Sequence, residues 1–152
     1  MLSKRNIPIW SMVLGLSLLL LSSTNLNAAD TTSQVMTHID EILKANPIEV
    51  GKPVRLITIA ESPAVTVYVV RSVEGYFLKP HIHKTHDESV YVIRGKGQML
   101  INDKWVDIQP GDVHFNPMGK VHSIKHAGGS EELVVLSVFT PAMKETDRHF
   151  VP

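Results

Sequence analysis

Three histidines and one glutamate carry the most chemical information in this sequence: His81, His83, Glu88 and His122. On an extended strand, residues i and i+2 point to the same face with Cα atoms about 6.6 Å apart, so His81 and His83 can converge on one ion. The four residues from Lys84 to Asp87 let the chain turn and return Glu88 on the next strand, where period two puts it on the face of Val90 and Val92. A carboxylate then joins the imidazoles. His122 opens a further strand after the turn Pro117-Met118-Gly119, which can steer it back toward the others. Three nitrogens and one oxygen of this kind suit a divalent metal ion.

Composition narrows the rest. In 152 residues there are 15 Lys and Arg against 15 Asp and Glu, with 8 His and no Cys. The length corresponds to about one domain. With no basic excess, nucleic acid has no electrostatic footprint to bind, and no such partner is expected. Without cysteine there is no disulfide framework, thiolate site or Cys nucleophile, so any metal is held by His and carboxylates.

The elements that must position these residues are short. Val35, Ile39, Ile42 and Leu43 recur at helical spacing, with Thr31, Thr32 or Ser33 as N-caps and Asn46-Pro47 as the stop. This predicts a helix within residues 30–47 that packs on the main fold or on a partner subunit, its His38 solvated. From Val50 onward, β-branched runs alternate with turn residues: Val54 to Ile59, Val65 to Val70, Ser89 to Ile93, Met99 to Ile101, Trp105 to Ile108, Val113 to Phe115, Val121 to Ile124 and Leu133 to Phe139. Such spacing reads as an all-β sandwich or barrel over residues 48–140. Gly95, Gly97 and Gly111 stand where strands are expected to reverse at positive φ. The tail, residues 141–152, is expected to be a loose terminus or a strap over a neighbour.

Gly75, His81, His83, Glu88 and Gly95 fall at the spacing of one motif, and Gly111, Pro117, Gly119 and His122 at that of a second, with His126 where that motif ends in Asn. Together they resemble the cupin superfamily, in its small single-domain metal-binding form (cupin 2 type). The resemblance covers residues near 54 to 140. It implies a double-stranded β-helix, or jelly-roll, barrel, here with a short N-terminal helix. It also implies that His81, His83, Glu88 and His122 are the metal ligands.

The remaining histidines are weighed separately. His122, Ile124 and His126 share a face by alternation, so His126 lines the barrel end, orients a ligand or acts as a catalytic acid or base. His86 reads as a solvated loop residue, and the facing of His114 is ambiguous. Tyr68, Tyr76 and Tyr91 offer phenols to a substrate, although strand propensity explains them equally well.

An octahedral Fe(II) or Mn(II) would keep two positions open for substrate or O₂, whereas tetrahedral Zn(II) would be saturated. Fe(II) or Mn(II) is therefore favoured, with Ni(II) and Zn(II) also compatible. The leading expectation is a metal-dependent oxidoreductase of the dioxygenase type acting on a small oxygen-rich organic molecule. The alternatives are a metal-assisted lyase or isomerase, with His126 or a tyrosine as base, and a non-catalytic binder of a small ligand.

The N-terminus addresses the compartment. Lys4 and Arg5 precede an apolar stretch from Ile7 to Leu21, shorter than the roughly 20 residues that span a bilayer, and a small polar segment follows. Residues 1–29 thus read as a signal peptide cleaved near Ala28 or Ala29, giving a periplasmic or secreted protein with no lasting membrane insertion. An uncleaved tether is the alternative. Pairing into a homodimer through the helix or an edge strand is expected from the barrel's edges.

Overall fold

The computed structural model describes residues 34–152, so the expected signal segment, residues 1–29, and the N-cap candidates Thr31, Thr32 and Ser33 lie outside the described residues. The chain runs α1 (Ile39–Ala45), β1 (Val54–Ser62), β2 (Val65–Ser72), β3 (Phe77–Ile82), β4 (Asp87–Arg94), β5 (Gly97–Ile101), β6 (Lys104–Ile108), β7 (Val113–Asn116), β8 (His122–His126), β9 (Leu133–Thr140), a 3₁₀ turn η1 (Glu145–Asp147) and β10 (His149–Phe150). One sheet has the order β1-β2-β9-β4-β7, the other β10-β3-β8-β5-β6. All pairings are antiparallel, and the two sheets form the double-stranded β-helix that the sequence implies.

Alternation builds the core. On β4, Glu88, Val90 and Val92 are buried while Ser89 and Tyr91 are exposed, so the expected carboxylate faces inward with the valines. Val90 and Val92 meet Met99, Ile108, Leu133 and Val135 between the sheets. β9 lies between β2 and β4, and both of its faces are covered, which explains why its run is apolar on both faces apart from the buried Ser137. Its outward Val134 packs with Val69 and with Leu43 of the helix. Burying a leucine in this way contributes about 1.5–3 kcal/mol.

The helix is shorter than expected and begins later. Its N-cap is His38, whose Nδ1 accepts from the amide of Asp40. Val35 is 51% exposed and lies before the helix begins. Seven residues make too short a helix to persist alone, and tertiary contacts hold this one. Arg71 donates to the carbonyls of Leu43 and Asn46 at 2.5 and 2.6 Å, completing the helix end, and forms a two-pronged ion pair with Glu132. The helix thus spends its apolar face on its own barrel.

Three further expectations are corrected. His81 and His83 are expected on one extended strand, but β3 ends at Ile82 and leaves His83 in the following loop; its pairing with β8 shifts between Leu78 and His81, and Pro80 is accommodated at that irregularity. Gly97 has no positive φ. It lies in β5, where a Cβ would come within 2.7 Å of the Lys125 carbonyl and the Leu133 side chain. The tail is not loose. It crosses its own barrel, and β10 adds to the edge of β3, pairing His149 with Ile82 and Phe150 with His81.

Candidate metal centre

β3 and its following loop supply His81 and His83, and β8 supplies His122 as the direct cross-strand partner of His81. The turn before His122 is fastened to the first histidine segment: the Gly119 amide donates to the His83 carbonyl at 2.7 Å, and the Met118 amide to the Asp87 carboxylate at 2.7 Å. One ring nitrogen from each of His81, His83 and His122 lies within 4.8 Å of the others, and all three residues are buried. Ring centroids are 4.3 Å apart for His81 and His122, and about 5 Å for the pairs with His83.

The three rings share one tautomer. The Nδ1 of His81 lies 2.9 Å from the Lys79 carbonyl, that of His83 3.0 Å from the Asp147 carbonyl, and that of His122 2.9 Å from the Lys120 carbonyl. A carbonyl oxygen only accepts, so each Nδ1 carries the proton and each neutral ring keeps its Nε2 lone pair free. Burial, with the His122 ring close by, pushes the pKa of His81 down to about 3. Burial likewise lowers His83 to about 4, against the opposing pull of the Asp147 carbonyl. Near neutral pH both rings are neutral, with Nε2 unprotonated, as metal ligands must be.

Glu88 reaches this group through His122. Its Oε2 lies 3.2 Å from His122 Nε2, yet that nitrogen has no hydrogen-bond partner. Burial opposes the negative charge of Glu88, but His122, His83 and Ser137 override it and lower its pKa. His122 Nε2 and the Glu88 carboxylate thus face one another as two donors that a cation would bridge. The donor set fits a divalent ion, and the His triad can hold one.

Outer partners orient Glu88. Asn116, its cross-strand neighbour, donates from Nδ2 to Glu88 Oε2 at 3.0 Å and accepts on Oδ1 from His114 Nε2 at 2.6 Å. His114, whose facing the sequence leaves open, is half-buried and belongs to this chain of bonds.

His86 overturns its expectation. It is fully buried rather than solvated, with its ring 4.2 Å from that of His83 and edge-on to Phe139. Asp147 causes this by closing the tail over the loop: its carboxylate accepts from the amides of Lys84 and Thr85 and from the Thr85 hydroxyl, and lies 3.1 Å from both His86 and His149. His83, His86 and Asp147 form a second cluster of close potential ligands. No local pattern in the sequence points to Asp147, 64 residues from His83.

Beside the triad lies a cavity of about 200 Å³. His81, Glu88 and His122 line it, with Tyr68, Tyr76 and Arg148 as further polar members and mostly aliphatic walls. Burial raises both tyrosine pKa values, so these phenols are proton donors near neutral pH rather than bases. Tyr91 points outward and is 44% exposed. His126 does not line the cavity. Its Nε2 donates to the Glu131 carbonyl at 2.8 Å and its Nδ1 accepts from the Gly128 amide at 2.9 Å, so both nitrogens brace the loop before β9.

Residues 68–139 match the family model described as Cupin domain. This segment is a cupin domain. Among curated relatives, an uncharacterized protein of Aquifex aeolicus is 29% identical over 113 residues, 72% of this chain and 86% of its own length. A glucose-6-phosphate isomerase of Thermococcus onnurineus is 36% identical over 73 residues, but the match spans 43% of this chain and only 38% of that enzyme. Among solved structures, a predicted oxalate decarboxylase from Thermotoga maritima superposes with a TM-score of 0.54 at 27% identity, covering 58% of this chain and 80% of that one. KdgF from Halomonas sp. superposes with 0.57 at 21% identity, covering 65% and 87%, a likeness of fold. The named relatives of this chain thus include an isomerase and a predicted oxalate decarboxylase.

Proposed function

We propose that this cupin is an exported, metal-dependent enzyme acting on a small oxygen-rich organic molecule, with dioxygenase-type oxidation as its reaction. The observation that carries the reading is the alignment of three Nδ1–carbonyl bonds, which leaves three free Nε2 lone pairs close together beside a carboxylate and a cavity. His81, His83 and His122 would hold the ion, with Glu88 against His122. When bound, it would supply Lewis-acid polarisation of a substrate oxygen and, if redox-active, access to O₂ chemistry.

The chain's own groups do the rest. Val70, Val90, Leu133 and Val135 wall the cavity and limit water. The raised pKa of Tyr76 keeps its phenol protonated, ready to donate a hydrogen bond to a bound oxygen. Export rests on the pattern of residues 1–29.

A second reading, proton-moving lyase or isomerase chemistry, draws support from the partial match to an isomerase and the likeness to a predicted oxalate decarboxylase. Oxygen uptake separates the two. The protein is purified anaerobically, loaded with Fe(II) and offered catechols, diketones and small carboxylates. Substrate-dependent O₂ consumption, lost in His81→Ala, is the expected result; turnover that proceeds without O₂ would assign the second reading instead.

A further inference from the structure

We infer that Arg148 forms a recognition site for a single carboxylate group inside the barrel, so that the ligand of this cavity is a small organic monocarboxylate with a further oxygen turned toward the histidines. The inference rests on the metal-centre reading only for the role of that second oxygen. The carboxylate site stands on Arg148 itself.

Arg148 lies between two anchors. Asp147, immediately before it, is buried and holds the loop at Lys84 and Thr85; His149 and Phe150, immediately after it, pair with β3. The Val151 amide adds a bond to the Pro80 carbonyl at 3.0 Å. A segment pinned on both sides presents its middle residue in a set place, and here that residue lines the cavity together with His81, Glu88, His122 and Tyr76.

The guanidinium lacks a counterpart. Its Nε is buried with no hydrogen-bond acceptor, and among the described residues no carboxylate comes within ion-pairing distance of Arg148. Buried donors in folded proteins are almost always satisfied, so the half-buried Arg148 keeps one enclosed N–H in want of an acceptor.

Shape and charge choose the anion. A guanidinium presents paired N–H groups in a planar fork that a carboxylate matches. The cavity also holds the Glu88 carboxylate, and among the described residues Arg148 is its only Lys or Arg lining residue, so a phosphate dianion would meet more repulsion than a monoanion. A cavity of about 200 Å³ suits a small organic ligand.

The test titrates the full chain, with and without Mn(II), against pyruvate, its uncharged analogue pyruvamide and inorganic phosphate, by calorimetry, in wild type, Arg148→Met and Arg148→Lys. Wild type is expected to favour pyruvate over pyruvamide by about tenfold or more, and Arg148→Met to abolish that preference with Mn(II) affinity unchanged. Arg148→Lys keeps the charge without the fork and recovers part of the preference. An undiminished preference in Arg148→Met, equal binding of pyruvate and pyruvamide by wild type, or phosphate binding as tight as pyruvate would each overturn the proposal. If Mn(II) does not bind while the Arg148-dependent preference persists, the carboxylate site stands and the metal reading fails. Mn(II) uptake without the preference fails the carboxylate site alone.

Discussion

The Nδ1–H of His83 is held by the main-chain carbonyl of Asp147, 64 residues further along the chain, at 3.0 Å. One residue of the C-terminal strap therefore sets the tautomer of a triad histidine and, through its carboxylate, fastens the loop that follows it. Strap and site are one structure.

Replacing a triad histidine removes a ligand outright. Because outer partners alone are worth roughly 10–100-fold in metal affinity, His81→Ala or His122→Ala should weaken binding by more than about 100-fold. Metal analysis after dialysis against a competing chelator measures this, and retention of the ion at wild-type level would contradict the assigned triad.

Acid should destabilise the metal-free protein. His81 and His83 titrate near pH 3 and 4 when folded but near about 6.5 when unfolded, so the unfolded chain takes up protons first. Stability is full above about pH 6.5 and declines as pH falls through that value, by on the order of 1–2 kcal/mol per ring at about pH 5, levelling off below the folded values. Urea midpoints across this range, with a shallower slope in His81→Asn, check the sign.

Asp147 adds a second loss at lower pH. Burial resists its charge, but the Thr85 hydroxyl, the amides of Thr85 and Lys84 and the His149 ring hold its carboxyl well below the ordinary range. Its contribution is present above the unfolded value of about 3.9 and disappears as pH falls toward the depressed folded value. Asp147→Ala at neutral pH should cost about 2–3 kcal/mol, the scale of hydrogen bonds to a charged group, and should loosen the strap. Denaturant unfolding gives the first quantity, and amide exchange at Lys84 and Thr85 the second.

His126 should behave as a brace. Removing its two backbone bonds in His126→Ala should cost about 1–3 kcal/mol while metal affinity stays within error of wild type. An altered pH profile of turnover at unchanged stability would instead return His126 to acid-base chemistry.

The legible part of this protein was local. Period two placed Glu88, Val90 and Val92 on one inner face, and the strands from β4 to β9 follow their β-branched runs closely because each needs only its own alternation and a turn at either end. The spacing of His81, His83, Glu88 and His122 carries the site for the same reason. β3 was harder to read, since Pro80 is tolerated only through the irregular pairing with β8.

What the amino-acid order determined by itself was therefore the barrel, its family resemblance and the residue types available to a metal. Tertiary structure alone decided that the tail folds back on its own barrel, that His86 is buried, that His126 is spent on a loop, and that Arg148 enters the cavity. Each of these outcomes depends on a segment meeting its partner across the fold or on a loop closing on itself, and such contacts leave no periodic trace in the sequence.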